Sequence, residues 1–318
     1  MPEGCFDERA ESKKFTSKEM KDFIPKPLFD EKVILNKDSS WPKISIVTPS
    51  YNQAEFLERT ILSVLGQNYP ELEYIIIDGG STDGSVDIIK KYEKYLTYCV
   101  SEPDKGQADA LNKGFRKSTG EILGWINSDD MYLPRTFWKI AEAFKKYPDA
   151  AIVYGDYIKV NDEDRCVALR RQPSFDYRIC LYAYLTVMQP ASFFQRKAFF
   201  DVGDLDSSLN YSLDYDLILR LAKGRKVKHL KEYLAAFRLH PSSKSVAGKM
   251  RFPEEDRKVR LKNIGRQPLP GELYSLHWYF KARVFFRMLF EGCLPPRFGR
   301  DKGEYKLNDT YTSKMLEF

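Results

Sequence analysis

Long apolar runs are missing from this chain of 318 residues: no stretch approaches the ~20 uninterrupted apolar residues that a membrane-spanning helix requires. The amino terminus, MPEGCFDERAESKK, also lacks the apolar centre of a secretory signal. A cytoplasmic location is therefore expected. Cysteine is sparse: Cys5, Cys99, Cys166, Cys180 and Cys293 are scattered without CxxC or other ligand spacing. Their odd number suits reduced thiols better than a disulfide framework. Neither GxGxxG nor a Walker A loop occurs, which disfavours dinucleotide-binding and P-loop chemistry. Internal repeats and low-complexity tracts are absent. The net charge of +6 is modest and basic residues alternate with acids, so nothing calls for a nucleic-acid groove. An anionic substrate or membrane surface stays compatible with that charge.

What is present is enough for a sizeable core, with 43% hydrophobic and 14% aromatic residues. Residues 1–40 are charged, hold Pro25 and Pro27, and read as an extension laid over the domain or a partly mobile arm. Residues 41–250 carry the ordered pattern, and residues 251–318 read as a helical, basic extension. Lys43 to Thr48 is a β-branched run typical of a parallel-sheet strand. It ends in Pro49-Ser50-Tyr51-Asn52, where Asn52 and Glu55 have the spacing of a capping box. Phe56, Ile61, Val64 and Leu65 then mark one face of a helix closing near Gly66.

The unit recurs. Tyr74 to Ile77 is a second strand running into Asp78-Gly79-Gly80-Ser81-Thr82-Asp83-Gly84-Ser85; Thr97 to Ser101 is a third, followed by Glu102-Pro103-Asp104-Lys105-Gly106-Gln107. Ile122 to Ile126 is a fourth, stopped at Asn127-Ser128-Asp129-Asp130, and Pro134 ends the ladder. Strands alternating with helices imply right-handed crossovers and an α/β fold with a mostly parallel sheet covered on both faces. All four loops leave strand carboxyl ends, the edge at which open α/β sheets bind ligands. Further on, Ile152 to Tyr154 and the Asp156 to Arg170 region read as a mixed edge, and Tyr177 to Val187 and Leu213 to Leu221 as helical. Lys226 to Leu230 and Leu234 to Leu239 read as two strands.

Several residues on that rim have a chemistry to offer. Asp129 and Asp130 together can hold a hard cation that in turn holds phosphate oxygens, although an isolated acidic turn is more often a helix cap. Asp78 can accept from a uracil imide or a ribose hydroxyl, or merely close an Asx turn. The Tyr51 ring can stack on a nucleobase, and Lys105 can serve as a point charge for a diphosphate. Each signal is weak alone, and most such residues elsewhere are packing or solvated groups.

Four motifs in order, Ile46 to Asn52, Ile77 to Ser85, Asn127 to Asp130 and Leu213 to Leu217, resemble the family 2 glycosyltransferases over about residues 43–245. The resemblance implies a GT-A fold and a nucleotide-diphosphate sugar donor, a UDP-sugar by expectation. It further implies a divalent metal, Mn2+ or Mg2+, and inversion at the anomeric carbon, in a transferase of the bacterial polysaccharide type. A hexosyl or N-acetylhexosaminyl group would pass to a hydroxyl of a saccharide or lipid-linked acceptor. By the same resemblance Pro49 and Tyr51 embrace the base, Asp78 reads base or ribose, and Asn127, Ser128 and Asp129 contact the donor. Asp129 is the last acid of the metal motif, with Asn127 where the family has its first; Asp130 and His240 are further metal candidates, His240 otherwise being a structural turn residue. Asp214 matches the general base, with Leu213 at the other acid's place and Asp216 as a rival.

A nucleotidyltransferase would share sheet and metal but needs a glycine- and arginine-rich loop after its first strand, which Pro49-Ser50-Tyr51-Asn52 is not. A non-catalytic nucleotide-sugar-binding protein is the remaining alternative. The segment Tyr274 to Phe290 interleaves Trp278, Phe280 and Phe285 with Lys281, Arg283 and Arg287. It reads as a helix packed on the domain or as a peripheral contact with the inner face of a membrane.

Overall fold

The computed structural model describes residues 29–35, 37–244 and 251–294. Most of the amino-terminal extension, with Cys5, lies outside the described residues, as do Ser245 at the end of the motif-bearing region and everything after residue 294. A short helix α1 (Glu31–Leu35) places Ile34 against the main core. The chain then builds β1 (Ile44–Ser50), α2 (Ala54–Leu65), β2 (Leu72–Asp78), α3 (Ser85–Tyr92), β3 (Tyr98–Ser101), α4 (Gln107–Lys117) and β4 (Ile122–Trp125). Every residue of β1, β2 and β4 is buried. The alternation of strand side chains divides that burial between two cores. Ile44, Ile46, Tyr74 and Ile76 meet Leu57, Ile61 and Val64 of α2 on one face, while Val47, Ile75 and Ile77 meet Leu111 and Phe115 of α4 on the other.

The remaining elements are β5 (Met131–Tyr132), α5 (Thr136–Lys146), β6 (Ala150–Val160), β7 (Cys166–Arg170), α6 (Tyr177–Tyr182), β8 (Ser192–Gln195), α7 (Arg196–Val202), α8 (Leu213–Ala222), β9 (Lys226–Arg238), α9 (Phe252–Ile264) and α10 (Glu272–Phe290). The strand order is β3-β2-β1-β4-β8-β6-β9-β5, with β7 attached to β6. The sheet is mostly parallel: β3, β2, β1 and β4 run together, β8 enters antiparallel between β4 and β6, and β6 and β9 pair in parallel.

Three sequence expectations need correction. β6 is no edge strand; one side of it pairs with β9 along its whole length, and the other is shared by β8 and then β7. Lys226–Leu230 and Leu234–Leu239 are one strand, in which the polar pair Lys231-Glu232 bulges out of register opposite Gly155. A Cβ at Gly155 would lie 2.6 Å from the Glu232 carbonyl, so the bulge needs glycine there. Asn52 is not the cap of α2. It adopts a positive φ of 51° and accepts from the Thr82 amide, while Asp83 Oδ2 takes the Ala54 amide at 2.8 Å. The Ser81-Thr82-Asp83 loop thus caps the neighbouring helix from outside.

Candidate active site

The loops after β1, β2, β3, β4 and β9 enclose a cleft of about 650 Å3. Pro49, Ser50 and Tyr51 enter it from β1, Gly79 from β2, Asn127, Ser128 and Asp129 from β4, and Phe237, Arg238, Ser243 and Lys244 from the end of β9. Tyr51 is 63% exposed at the mouth. The absence of a side chain at Gly79 keeps the cleft open beneath it, since a Cβ there would meet Asp104 Oδ2 at 2.8 Å and the Tyr51 ring at 3.3 Å. The hydroxyls of Ser50 and Ser243, both buried in the lining, have no hydrogen-bond partner among the described residues.

The Asn127-Ser128-Asp129-Asp130 turn is clamped from behind. Arg238, 1% exposed, donates Nε to the Asp129 carbonyl at 2.8 Å and Nη1 to the Asn161 carbonyl at 2.9 Å, and pairs with Asp164. Its backbone amide donates to Asp130 Oδ1 at 2.9 Å. Asp130 is thereby turned inward, away from the cleft lining. Burial, and then the charge of Asp129, push its carboxyl well above the usual carboxylate range. Asp129 faces the opposite way, into the cleft, where Oδ2 lies 3.0 Å from His240 Nε2. Ser242 holds the other ring nitrogen of His240 at 2.8 Å, and Phe56 covers the ring.

These two donors fit a divalent cation. A separation of 3.0 Å between Asp129 Oδ2 and His240 Nε2 equals the spacing of adjacent ligands around an octahedral ion with bonds of ~2.1 Å. Among the described residues no third Asp, Glu, His or Cys joins them. The protein would thus supply two ligands and leave the others to phosphate and water, a common arrangement for Mg2+.

Asp78 does not reach the cleft. It is fully buried, and accepts from the amides of Gly80 and Ser81 at 3.1 and 2.8 Å and from the hydroxyls of Ser81 and Ser101. Its hydrogen bonds fix the Gly79-Gly80 turn; Asp104 is the acid that lines the cleft at that point. Lys105 likewise is exposed and outside the lining. The lysine that enters is Lys244, whose Nζ donates to Gln107 Oε1 at 2.8 Å and the Asn210 carbonyl at 3.2 Å. Gln107 in turn donates to Asn127, and Asn127 to Gln189, so one amide chain joins three loops.

Asp214 lies in the first turn of α8. Burial pushes its carboxyl up to about 6, with the amide of Tyr215 opposing and the charge of Asp256 assisting. Asp216 is engaged elsewhere, fully buried between Arg220 at 2.7 Å and Lys262 at 3.3 Å. Burial pulls the Lys244 ammonium down, and Glu255, Asp129, Asp104 and Asp214 all act on it in the other direction. Lys244 thus lines the cleft together with Asp129 and Asp104, whereas Asp214 is outside the lining and acts on Lys244 only through its charge. Glu255 of α9 secures that side by accepting the amides of Asn210, Tyr211 and Ser212. Sequence reasoning missed Lys244, Asp104, Gln107, Gln189 and Arg238; only Lys244 and Arg238 had a signal, in flanking a turn already singled out at His240.

Known proteins share this architecture. The chain is 29% identical over 259 residues to an uncharacterized glycosyltransferase of Mycobacterium tuberculosis, which covers 78% of this chain and 94% of that protein. It is 39% identical over 98 residues, 30% of this chain and 39% of the other, to the putative teichuronic acid biosynthesis glycosyltransferase TuaG of Bacillus subtilis. Among solved structures, S. aureus TarS 1–349 in complex with UDP-GlcNAc superposes with a TM-score of 0.57 at 18% identity, over 78% of this chain and 73% of that one. The chain spans 43% of a longer TarS chain. The mannosyltransferase PcManGT from Pyrobaculum calidifontis, in complex with GDP-Man and Mn2+, superposes with a TM-score of 0.56 at 17% identity, over 92% of this chain and 82% of that one. The fold is GT-A, residues 45–202 match the model of Glycosyl transferase family 2, and the chain belongs to that family.

Proposed function

We propose that the protein is an inverting glycosyltransferase that moves a hexosyl or N-acetylhexosaminyl group from a UDP-sugar to a hydroxyl of a saccharide or lipid-linked acceptor. The observation that carries this reading is the one cleft that Tyr51, Asn127, Asp129 and Lys244 line together, with the charge of Asp214 acting on Lys244 from its edge. Tyr51 and Pro49 would receive the base at the mouth, and Asn127 offers its side-chain amide to the sugar and phosphates. Asp129 and His240 would hold Mn2+ or Mg2+, which when bound neutralises charge on the diphosphate. Lys244 adds a positive charge where the leaving group becomes more negative. Asp214 takes the proton of the acceptor hydroxyl as its oxygen bonds to the anomeric carbon. The bond from that carbon to the phosphate breaks on the opposite face, and the nucleoside diphosphate leaves with the bonding pair. Its carboxyl, raised to about 6, combines useful basicity with ionisation at neutral pH.

Incubation with labelled UDP-sugars and a panel of oligosaccharide and lipid-linked acceptors tests the proposal. Acceptor-dependent release of nucleoside diphosphate is expected. Pyrophosphate release instead would identify a nucleotidyltransferase, and binding without release a non-catalytic nucleotide-sugar protein.

Peripheral membrane contact belongs to the same proposal. No helix among the described residues is long and apolar enough to cross a membrane. α10 buries His277, Phe280 and Val284 against the domain, while Tyr274, Trp278, Phe285, Phe286 and Leu289 stay exposed on its other side. Lys281 and Arg283 flank that apolar arc, and Asp176 is the one carboxylate within ion-pair distance of Arg283 and Arg287 among the described residues. An apolar face edged by cations suits an anionic lipid surface. Flotation with phosphatidylglycerol vesicles should carry the protein upward, and Trp278→Ala with Phe285→Ala should abolish it; a parent protein left wholly in the soluble fraction would end the membrane account.

A further inference from the structure

The sheet that walls the cleft at Phe237 continues into β6 and β7. From Tyr157↔Ala235 to Val160↔Arg238, β6 and β9 stay in unbroken parallel register, and on its other side β6 pairs Tyr157 with Arg170 and Lys159 with Ala168. Residues directly opposite one another, and alternate residues along a strand, rise from the same face of a sheet. Tyr157, Lys159, Arg170 and Phe237 therefore share one face, with the small Ala168 leaving room beside Lys159. The rings of Tyr157 and Phe237 meet edge to face at 6.5 Å. Since Phe237 is also a wall of the cleft, this face adjoins the cleft as a ledge.

Among the described residues no acid balances the cations of the ledge. Burial and then the charge of Arg170 pull the Lys159 ammonium down to about 8. Among the described residues the Arg170 side chain donates one long hydrogen bond, 3.4 Å to the Leu169 carbonyl, and its charge also reaches Tyr157 and Tyr184. Two neighbouring cations on a part-buried face repel one another and lose hydration, a cost that an incoming anion relieves. The half-buried Phe237 ring provides apolar surface for a sugar ring, while Tyr157 is buried behind it.

We propose that the Lys159–Arg170 ledge is an acceptor subsite that binds a negatively charged group, a carboxylate or a phosphate, carried by the molecule whose hydroxyl is glycosylated. The inference rests on the transferase reading and deepens it: a neutral glycan is a poorer acceptor than its charged counterpart.

Binding to the full-length protein, saturated with UDP and Mg2+, is measured by calorimetry with two matched pairs of probes. One pair is a glucuronate-terminated oligosaccharide and its methyl ester; the other is a prenyl-diphosphate-linked sugar and the same sugar on the prenyl alcohol. At least one anionic probe should bind about tenfold more tightly than its neutral partner, the discrimination typical of one charge-assisted hydrogen bond, and the pair that discriminates identifies carboxylate or phosphate. Lys159→Met and Arg170→Gln should each erase most of the preference while leaving the UDP-induced rise in melting temperature unchanged, which also verifies that the variants fold. Equal binding within both pairs, or a preference that survives both substitutions, overturns the proposal. Failure of the transferase reading would show separately, as absence of nucleoside diphosphate release from every UDP-sugar.

Discussion

Asp214→Asn should make the protein more stable and nearly inactive at the same time. The carboxyl of Asp214 is raised from 3.8 to about 6, first by burial and then, against the Tyr215 amide, by the charge of Asp256. A raised acid stabilises the fold below its unfolded value and loses that contribution as the pH climbs through the folded value. The shift corresponds to a ceiling of ~3 kcal/mol above pH 7 and to ~0.5 kcal/mol at pH 4. Partial contact of Asp214 with solvent reduces the realised amount to ~1–2 kcal/mol. Asparagine is uncharged at every pH and its side-chain oxygen can still accept the Tyr215 amide. The variant should thus melt a few degrees above the parent at pH 8, at ~2–4 °C per kcal/mol, and within about a degree of it at pH 4. Turnover should fall by ~10^2–10^4, the usual contribution of a general base, with UDP binding retained. Thermal unfolding of both proteins at the two pH values, alongside nucleoside diphosphate release, decides the matter. A variant that is no more stable at pH 8, or equally favoured at pH 4, would refute the assignment of a buried carboxyl with a raised pKa at this position.

Lys244→Met should weaken UDP binding about tenfold, whereas Lys105→Met should leave it unchanged, because only Lys244 lines the cleft; isothermal titration separates the two lysines. Treatment with EDTA should suppress the UDP-induced thermal shift, Mn2+ should restore it, and in Asp129→Ala the restoration should fail. Gly114→Ala is expected to destabilise by ~1–3 kcal/mol in urea unfolding, although alanine favours helices, because the new Cβ would press on Val47 from α4. Asp256→Asn should move the acid limb of kcat/KM to lower pH, since the charge of Asp256 helps to raise Asp214.

The repeated strand and helix units were legible in the sequence because parallel strands buried on both faces read as continuous apolar runs, and β1, β2 and β4 lie where those runs lie. Legibility failed where pattern and pairing part company. β8 is only Ser192-Phe193-Phe194-Gln195, too short for periodicity to announce, yet it joins the two halves of the sheet. β9 hides its continuity behind a polar bulge that makes sense only against Gly155 of a strand some seventy residues earlier.

The site divides along the same line. Positions at strand ends are a matter of local sequence, so Pro49, Tyr51, Asn127, Ser128 and Asp129 could be picked out, and all line the cleft. Which of two neighbouring groups turns inward depends on what stands behind it. Asp130 rather than Asp129 is withdrawn because the amide of Arg238 waits for it 108 residues along the chain, and Asp78 is withdrawn because its own loop consumes its oxygens. The cation was misplaced for a related reason: Lys105 sits at a strand end but points out, while Lys244 follows a turn and is drawn in by Gln107 and by the surrounding acids. With Arg238 neutralised by Asp164, the lining retains, among the described residues, Asp104 and Asp129 against Lys244. Such a cleft would repel a bare diphosphate. On the proposed reading a divalent ion at Asp129 offsets that repulsion, and by linkage ion and nucleoside diphosphate should each tighten the binding of the other, which titration of UDP with and without Mn2+ measures.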